Sequence, residues 1–584
     1  MTKIENIYRK LSPDNTAALW LVVWWLVNIV TAALSQLADD EAYYHIYAQT
    51  LDWGYFDHPP VTALTVWLGQ LLFNGELGVR FCFTIMQPLY LFIFWRLIKP
   101  DNATQRDAEL YTMICAAMLV LQLYGFIAVP DAPLLLSSVL FLAAFKSFTR
   151  EQKYSWLWLG AALGFMAYCK YHGALVLLFA LAANVRWFAE QPKRIARLAA
   201  AGAVAVAMLT PHLLWQHDHG WASFVYHLSG RNGVFRLSNI TDFLLNMAVV
   251  FSPFYVPLWV QAYRKVKPAT PTERALWAFP PAFVLFFTAT AFRGYVQPQW
   301  AIVAVLGLVW ILFGYARRHP RTRRYVMITG AVTLVLVALT RIEMIFNPLG
   351  IRYQIFDNRE SYAEIAAAAD GRPVLFNCGY TPASKYAFYA STDLVYGQPN
   401  VNMPDEQHPK ANYRSSQWQF RHDDRRFTGM EILAEVDSRR FAGNPAMQTL
   451  RLKNGRDFHY IVVKDFRPVR EVAIESAGTL PREVHHGDRL NFTLRITNPY
   501  PYDIDVDGIH HRLEIIWAHR TPTSALYPLT EGFTVPSGGS IGIGCSFTIP
   551  DDLPPQRYTV GFAVRHRDLY TWFGSPTVEV EVIE

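Results

Sequence analysis

The stretch Ala38–Pro60, ADDEAYYHIYAQTLDWGYFDHPP, decides how this chain is read. It follows directly on the first long apolar run, Ala17–Leu37, at the point where a chain leaves a bilayer. Acids, tyrosines, a histidine and paired prolines crowd into it, and an ordinary membrane loop needs nothing so specific. If the segment is helical, Asp40, Tyr43, Tyr44 and Tyr47 share one face by i, i+3, i+4 and i+7 spacing. Such a face suits a membrane interface, where tyrosine is enriched. Two readings of Asp39, Asp40 and Glu41 stand here. They form a solvated acidic cap on a helix N-terminus, or they are carboxylates held at a membrane face for chemistry on a lipid-borne substrate.

Working outward, 52% of the 584 residues are hydrophobic, 15% aromatic and only 17% charged. That balance excludes an ordinary soluble protein and indicates a membrane class. Apolar residues concentrate before residue 346, so the membrane part is expected to end there. A crossing helix needs roughly 20 apolar residues. About eleven candidates meet or approach that length: 17–37, 78–98, 109–127, 132–149, 155–169, 171–188, 196–215, 241–262, 274–292, 298–315 and 325–345. The first run lacks a small-residue cleavage site and reads as a span, not a signal peptide. Alternate loops are basic, notably 186–197, 264–274 and 317–324. With the N-terminus inside, cytoplasmic loops carry about 20 Lys and Arg and outer loops about 5, a positive-inside bias. The net charge of +6 is modest and its basic residues lie in short clusters, so they read as topology signals and not as a nucleic-acid footprint. Of 5 cysteines, Cys82, Cys115 and Cys169 lie in or beside apolar runs, and no spacing argues for a Cys378–Cys545 bridge.

This orientation puts nearly every unusual motif on the outer face: Ala38–Pro60, PDAP at 130–133, KYHG at 170–173, the 212–240 loop and RGYVQPQW at 293–300. It also puts everything after residue 346 outside. Residues 347–468 read as a small α/β domain, with strand, turn and helix over 372–389. Residues 469–584 alternate with period two between turns (RLNFTLRITN, HRLEIIWAH, RYTVGFAVRH), which predicts an Ig-like antiparallel β-sandwich. No internal repeat or low-complexity tract is present.

Each outer-face residue taken alone has a plain structural alternative. Asp131 in PDAP is an acid of the site or a cap on the span it opens. Lys170, between two apolar runs, snorkels to the interface or holds an anion, and Arg293 is placed similarly. Arg231 and Arg236 share a loop with His217, Asp218, His219 and His227, and Asp57–His58 precedes two prolines that stiffen the turn. His217 and His219 lack a convincing third ligand, so a metal site is not assigned. Together, carboxylates at Asp40 and Asp131 with cations at Lys170 and Arg293 suit group transfer from a lipid phosphate. One carboxylate deprotonates the acceptor, and the cations receive the departing phosphate.

At these residues the chain resembles a GT-C glycosyltransferase of the protein mannosyltransferase-like superfamily, similar to bacterial lipid A aminoarabinose transferases. The resemblance rests on DEAYYHIYAQTLDWGYFDHPP, PDAPLLL, CKYHGALVLL, LLWQHDHGWASFVYHLSGR and RGYVQPQW, covering roughly 15–345 in order. The fold class it implies is a polytopic α-helical, GT-C-like membrane protein, to which the residue pattern adds a C-terminal α/β segment and a β-sandwich that is not part of the family core. It implies a polyprenyl-phosphate-sugar donor, a catalytic domain over 1–346 and an active site on the non-cytoplasmic face of the bacterial inner membrane. Asp40 matches the family's first-loop aspartate, the base, and Asp131 its second acid. Tyr55, Asp57 and His58 match the Tyr, Glu and Lys of the branch's YFEKPP motif, whose lysine contacts the donor phosphate. His58 departs from that pattern, because an unperturbed imidazole carries full charge only below a pKa of about 6.5. Phosphate binding is therefore expected to shift to Lys170 and Arg293, and the donor-binding set also includes Glu41, Tyr171 and Arg231. Direct displacement at the anomeric carbon would invert it. No cofactor is required, and a divalent metal is not supported. The acceptor stays open between lipid A, a glycan and a protein. The competing readings are a lipid-linked sugar flippase or transporter, and a membrane assembly protein with an external binding domain.

Overall fold

The computed structural model describes residues 8–228, 235–377, 379–398, 400–402, 412–414, 416–421, 424–438, 443–478, 480–519, 525–566, 569 and 573–583. They fall into two compact units, one ending at Phe356 and one running from Asp357.

The first unit is helical. Its elements are α1 (Pro13–Leu34), α2 (Asp39–Ala48), α3 (Val61–Gln70), α4 (Gly75–Ile98), α5 (Gln105–Ala116), α6 (Leu119–Leu123), α7 (Asp131–Thr149), α8 (Ser155–Cys169) and α9 (Gly173–Ala182). There follow α10 (Val185–Ala189), α11 (Pro192–Asp218), α12 (Ala222–Leu228), α13 (Leu237–Val250), α14 (Val256–Lys265), α15 (Pro271–Ala291), α16 (Ala304–Arg318) and α17 (Pro320–Phe346). Six of these, α1, α4, α7, α11, α15 and α17, are long and apolar enough to cross a bilayer, and α8, α9 and α13 are shorter apolar helices. The chain is a multi-pass membrane protein.

The eleven apolar segments of the sequence thus return as six long helices plus shorter or interrupted ones. Segment 109–127 divides between α5 and α6, 171–188 between α9 and α10, and 241–262 between α13 and α14, while 298–315 opens with the 3-10 turn Pro298–Ala301. Apolar content does not see these breaks, because the freed backbone groups are satisfied by side chains from within the bundle. Gln122 Nε2 donates to Ala116 O, and Gln87 Nε2 to Leu121 O. Helix starts carry the expected caps: Ser12 Oγ accepts from Asn15 N before α1, and Thr104–Asp107 and Thr270–Glu273 form capping boxes before α5 and α15.

Ion pairs mark one end of the bundle. Lys99 Nζ lies 2.7 Å from Asp14, Arg317 Nε 3.3 Å from Asp107, and Arg194 Nε 3.2 Å from Glu151. These join the start of α1 to the end of α4, the start of α5 to the end of α16, and the start of α11 to the turn before α8. The stretch Ala38–Pro60 lies at the other end, after α1.

The second unit begins with parallel pairing. Val374–Phe376 is flanked in parallel by Val395–Gly397 and Ile432–Glu435, and helix Tyr380–Tyr389 connects the first two strands. Asp457–Val463 and Gln448–Arg451 extend the sheet antiparallel. Downstream, a five-stranded sheet ordered Ala525–Thr530, His511–Ala518, Arg557–His566, Val578–Ile583, Glu483–His485 and a three-stranded sheet ordered Ser540–Thr548, Arg489–Thr497, Ala473–Ala477 bury one cluster that includes Leu494, Ile496, Trp517, Val560 and Phe562. Cys545 is a buried free thiol, and Cys378 lies outside the described residues.

One cross-strand pair in this β-rich part predicts a pH dependence. His511 and His566 face each other in register, with ring centroids 5.6 Å apart and both residues buried. Burial, then the neighbouring His511 and His510, pushes the His566 imidazole down to about 3, and burial also lowers His511. Between an unfolded value of about 6.5 and these depressed values, the unfolded chain binds more protons than the folded one. Stability contributed by the pair is therefore full above about pH 6.5 and is lost as pH falls below it. Hydrogen exchange of peptides spanning 505–566, corrected for intrinsic rate, should show lower protection at pH 5 than at pH 7.5. His566→Phe should remove most of that difference.

Candidate functional site

The turn that follows α1 is fixed by a carboxylate facing inward. Glu41 is fully buried, and its oxygens take Arg80 Nε at 2.6 Å and Arg80 Nη2 at 2.5 Å. Glu41 also accepts from Ala38 N at 2.9 Å, closing the N-terminus of α2, and from Ala128 N at 2.8 Å. Arg80, on α4, uses its other donors on the end of α1, at Ala32 O, Ser35 O and Gln36 O. A buried guanidinium and carboxylate paired this closely fix geometry, because separating them would strand two desolvated charges. Glu41 and Arg80 thereby tie together the start of α2, the end of α1 and the turn three residues before Asp131. The neighbouring Asp40, also in the first turn of α2, is exposed.

Asp131 opens α7 and is 4% exposed. Its Oδ1 accepts from Lys170 Nζ at 2.7 Å, and Lys170, just past the end of α8, is 6% exposed. The two isolated charges of the sequence are one buried ion pair. Tyr124, in the connector between α6 and α7, feels the charges of both Asp131 and Asp40. Its phenol thus shares a neighbourhood with the two acids.

The YFDHPP turn is held from a distance. The Tyr55 hydroxyl donates to Thr50 O at 3.0 Å and accepts from Asp52 N at 3.1 Å, and its ring stacks on Tyr47 at 4.4 Å. Tyr47 donates to Asp57. Burial, and then the Asp57 charge, pushes the Tyr47 phenol well above its usual range, so it stays protonated and keeps that bond. The His58 imidazole lies 4.0 Å from Asp57 Oδ2, with ring centroids 5.6 Å from Tyr44 and 6.2 Å from His227. His227 Nε2–H donates to Asp57 O at 2.8 Å. On α11, Trp215 Nε1 donates to Asp52 at 2.8 Å, and His212 Nδ1–H donates to Trp53 O at 2.7 Å. That leaves His212 Nε2 to accept from the Tyr171 hydroxyl at 3.2 Å. Gln216 donates to Tyr171 and to Ser223, and Ser223 donates to Tyr55 O.

The sequence-predicted residues thus divide. Asp131 and Lys170 are in contact, Tyr55, Asp57, His58 and Tyr171 line one connected wall, and Glu41 faces the protein. Arg293 is exposed in the turn after α15 and makes no ion pair among the described residues, and Arg231 lies outside them. His217 is exposed beside Asp218, while His219 stacks on Trp215 at 4.1 Å. Among the described residues no group of three His, Cys, Asp or Glu is placed to hold a metal ion. Sequence reading passed over Arg80, Tyr124, His212, Gln216 and Ser223. A charged Arg80 inside an apolar run was the one signal that could have been followed.

Gly54 shows how close the packing is. A Cβ there would lie 2.4 Å from Trp215 Cε3 and 2.7 Å from Cδ2. Gly54→Ala should displace Trp215 from Asp52 and loosen the 52–58 turn. We expect roughly 10- to 100-fold lower transfer, the scale of a misplacement near 1 Å, and reduced Trp215 burial by fluorescence quenching.

Residues 57–215 match the family model described as dolichyl-phosphate-mannose-protein mannosyltransferase. No curated protein matches the chain. Among solved structures, ArnT from Cupriavidus metallidurans in the apo state aligns over 77% of this chain and 97% of its own, with TM-score 0.55 and 15% identity. The same protein bound to undecaprenyl phosphate aligns over 76% and 97%, with TM-score 0.57 and 14% identity. At that identity the likeness speaks to fold, and the family match speaks to the segment that carries His58, Asp131 and Lys170. Over residues 57–215 the chain thus resembles the mannosyltransferase-like GT-C glycosyltransferases, and its fold is that of ArnT.

Proposed function

We propose that the chain moves a sugar from a polyprenyl-phosphate donor to an acceptor on the non-cytoplasmic face of the bacterial inner membrane. The observation that carries this reading is the buried Asp131–Lys170 pair and the ring-packed YFDHPP turn, at the end of the bundle where α2 carries the exposed Asp40. The ArnT structure with undecaprenyl phosphate supports a polyprenyl carrier. The opposite end holds the basic clusters at 186–197, 264–274 and 317–324, which favours a cytoplasmic placement for that end.

In the proposed reaction Asp40 takes a proton from the acceptor hydroxyl or amine. The nucleophile forms a bond to the anomeric carbon, and the bond from that carbon to the phosphate oxygen breaks. The phosphate leaves with the electron pair, and a single displacement inverts the centre. Asp131 and Lys170 shape the neighbouring wall, and the imidazoles of His58 and His227 offer N–H donors to the phosphate. We read residues 347–468 and 469–584 as separate accessory domains on the same side as the site, the latter an Ig-like sandwich. Lipid A, a glycan and a protein are the acceptor classes to test.

Purified protein incubated with a radiolabelled polyprenyl-phosphate sugar and membrane lipid extract should pass label to an acceptor and release the lipid phosphate. Movement of intact donor across liposomes without cleavage would instead make the chain a flippase.

A further inference from the structure

The flank of the bundle carries a second feature. A cavity of about 440 Å³ lies between α1, α5 and α17. Trp24 and Val27 on α1, Met113 and Ala116 on α5, and Leu334 and Val337 on α17 line it. Trp20, Val23 and Val27 are themselves exposed, so the cavity is a groove open along the bundle's flank. A groove with such walls does not hold water, and in a membrane-spanning unit what meets it is hydrocarbon.

The two ends of the groove differ. The deep end is closed by Arg341, whose guanidinium donates to Thr31 Oγ1 at 2.7 Å, Asn28 Oδ1 at 2.7 Å and Gln122 Oε1 at 3.0 Å. That arginine is committed to the protein and is a poor headgroup ligand. At the other end Tyr8 donates to Glu109 at 2.7 Å and accepts from Trp20 Nε1 at 3.1 Å, a polar rim of the kind that sits at headgroup level. Beyond this rim Arg323 donates to Arg106 O, joining the first turns of α17 and α5. Arg324 is beside it and Arg9 follows Tyr8. Among the described residues no acidic side chain pairs with Arg9, Arg106, Arg323 or Arg324, since Glu109 accepts from Tyr8 and Asp107 pairs with Arg317.

We propose that this groove binds one acyl chain of an anionic phospholipid whose phosphate rests on Arg106, Arg323 and Arg324. From Met327 to Arg341 the groove follows α17 for roughly 21 Å at 1.5 Å per residue. That accommodates a chain crossing half of a hydrocarbon core about 30 Å thick. Uncompensated arginines at the mouth select a negative headgroup, and the apolar walls select a chain. A zwitterionic lipid would satisfy only the second condition.

The test uses the full-length chain, exchanged into detergent and supplied with equimolar dioleoyl phosphatidylglycerol and phosphatidylcholine. Native mass spectrometry should show at least a tenfold excess of retained phosphatidylglycerol. R106Q/R323Q should bring that ratio near one, and Met113→Trp, which fills the groove, should lower retention at least fivefold. Val337→Trp fills the same groove from another helix and gives the same readout if Met113→Trp fails to fold. Equal retention of the two lipids by the native chain, or undiminished retention in the folded filled-groove variant, would overturn the proposal. So would displacement of phosphatidylglycerol by equimolar polyprenyl phosphate, which would give the groove to the donor's tail.

Discussion

Asp40→Asn is expected to cut sugar transfer by about 10²- to 10⁴-fold, the usual contribution of a positioned general base. The substitution keeps shape at the second position of α2, whose N-cap is Ala38 with its N–H held by Glu41, so α2 should form normally. Affinity for the proposed polyprenyl-phosphate donor should change little, because the residues we assign to the phosphate, His58 and His227, lie on other segments. The neighbouring acids do not substitute. Glu41 has both oxygens engaged by Arg80, Ala38 N and Ala128 N, and the backbone N–H of Asp39 is bound to Gln354, fixing the start of the helix. The alternative reading, a charge that only caps α2, predicts a loss of about 0.3–1 kcal/mol of stability with no change in rate. A single-turnover assay with saturating donor separates the two outcomes. Normal transfer by Asp40→Asn would remove the base assignment.

The asymmetry between Asp40 and Glu41 shows what sequence could and could not say. Spacing put the acids at the start of a helix and the tyrosines on its face, and α2 runs from Asp39 to Ala48. Which of two adjacent acids faces solvent depends on Arg80, on the next long helix, and on Ala128, beyond two more helices. Contacts over such separations leave no periodic trace. The same holds for the YFDHPP turn. Its prolines announced a stiff loop, but the clamps on it, Trp215, His212, Ser223 and His227, arrive from the end of the 196–215 span and the loop after it. Apolar runs gave the positions of the long helices closely, because bilayer thickness imposes their length. They hid the break between α5 and α6, where Gln122 and Gln87 supply hydrogen bonds that the backbone lacks. That break is what frees Tyr124 from a continuous helix.

Lys170 and Asp131 should show the second large effect, because neither charge is tolerable without the other. Both are nearly excluded from solvent and their atoms are 2.7 Å apart. Removing one partner of such a pair typically costs about 3–5 kcal/mol, since the other charge stays buried and uncompensated. Lys170→Met and Asp131→Leu should each therefore destabilise the helical unit by about that amount, read as a lower midpoint of thermal aggregation in detergent. The double variant should recover most of the loss, because two apolar residues of similar volume need no desolvated charge. Activity should not recover with stability. Lys170 and Asp131 contribute fixed charge beside the proposed site, and such preorganised charge is commonly worth about 10²- to 10³-fold in rate. Recovery of both stability and transfer in the double variant would reduce the pair to a structural bond between α7 and the end of α8. Recovery of stability alone would place its field in the reaction.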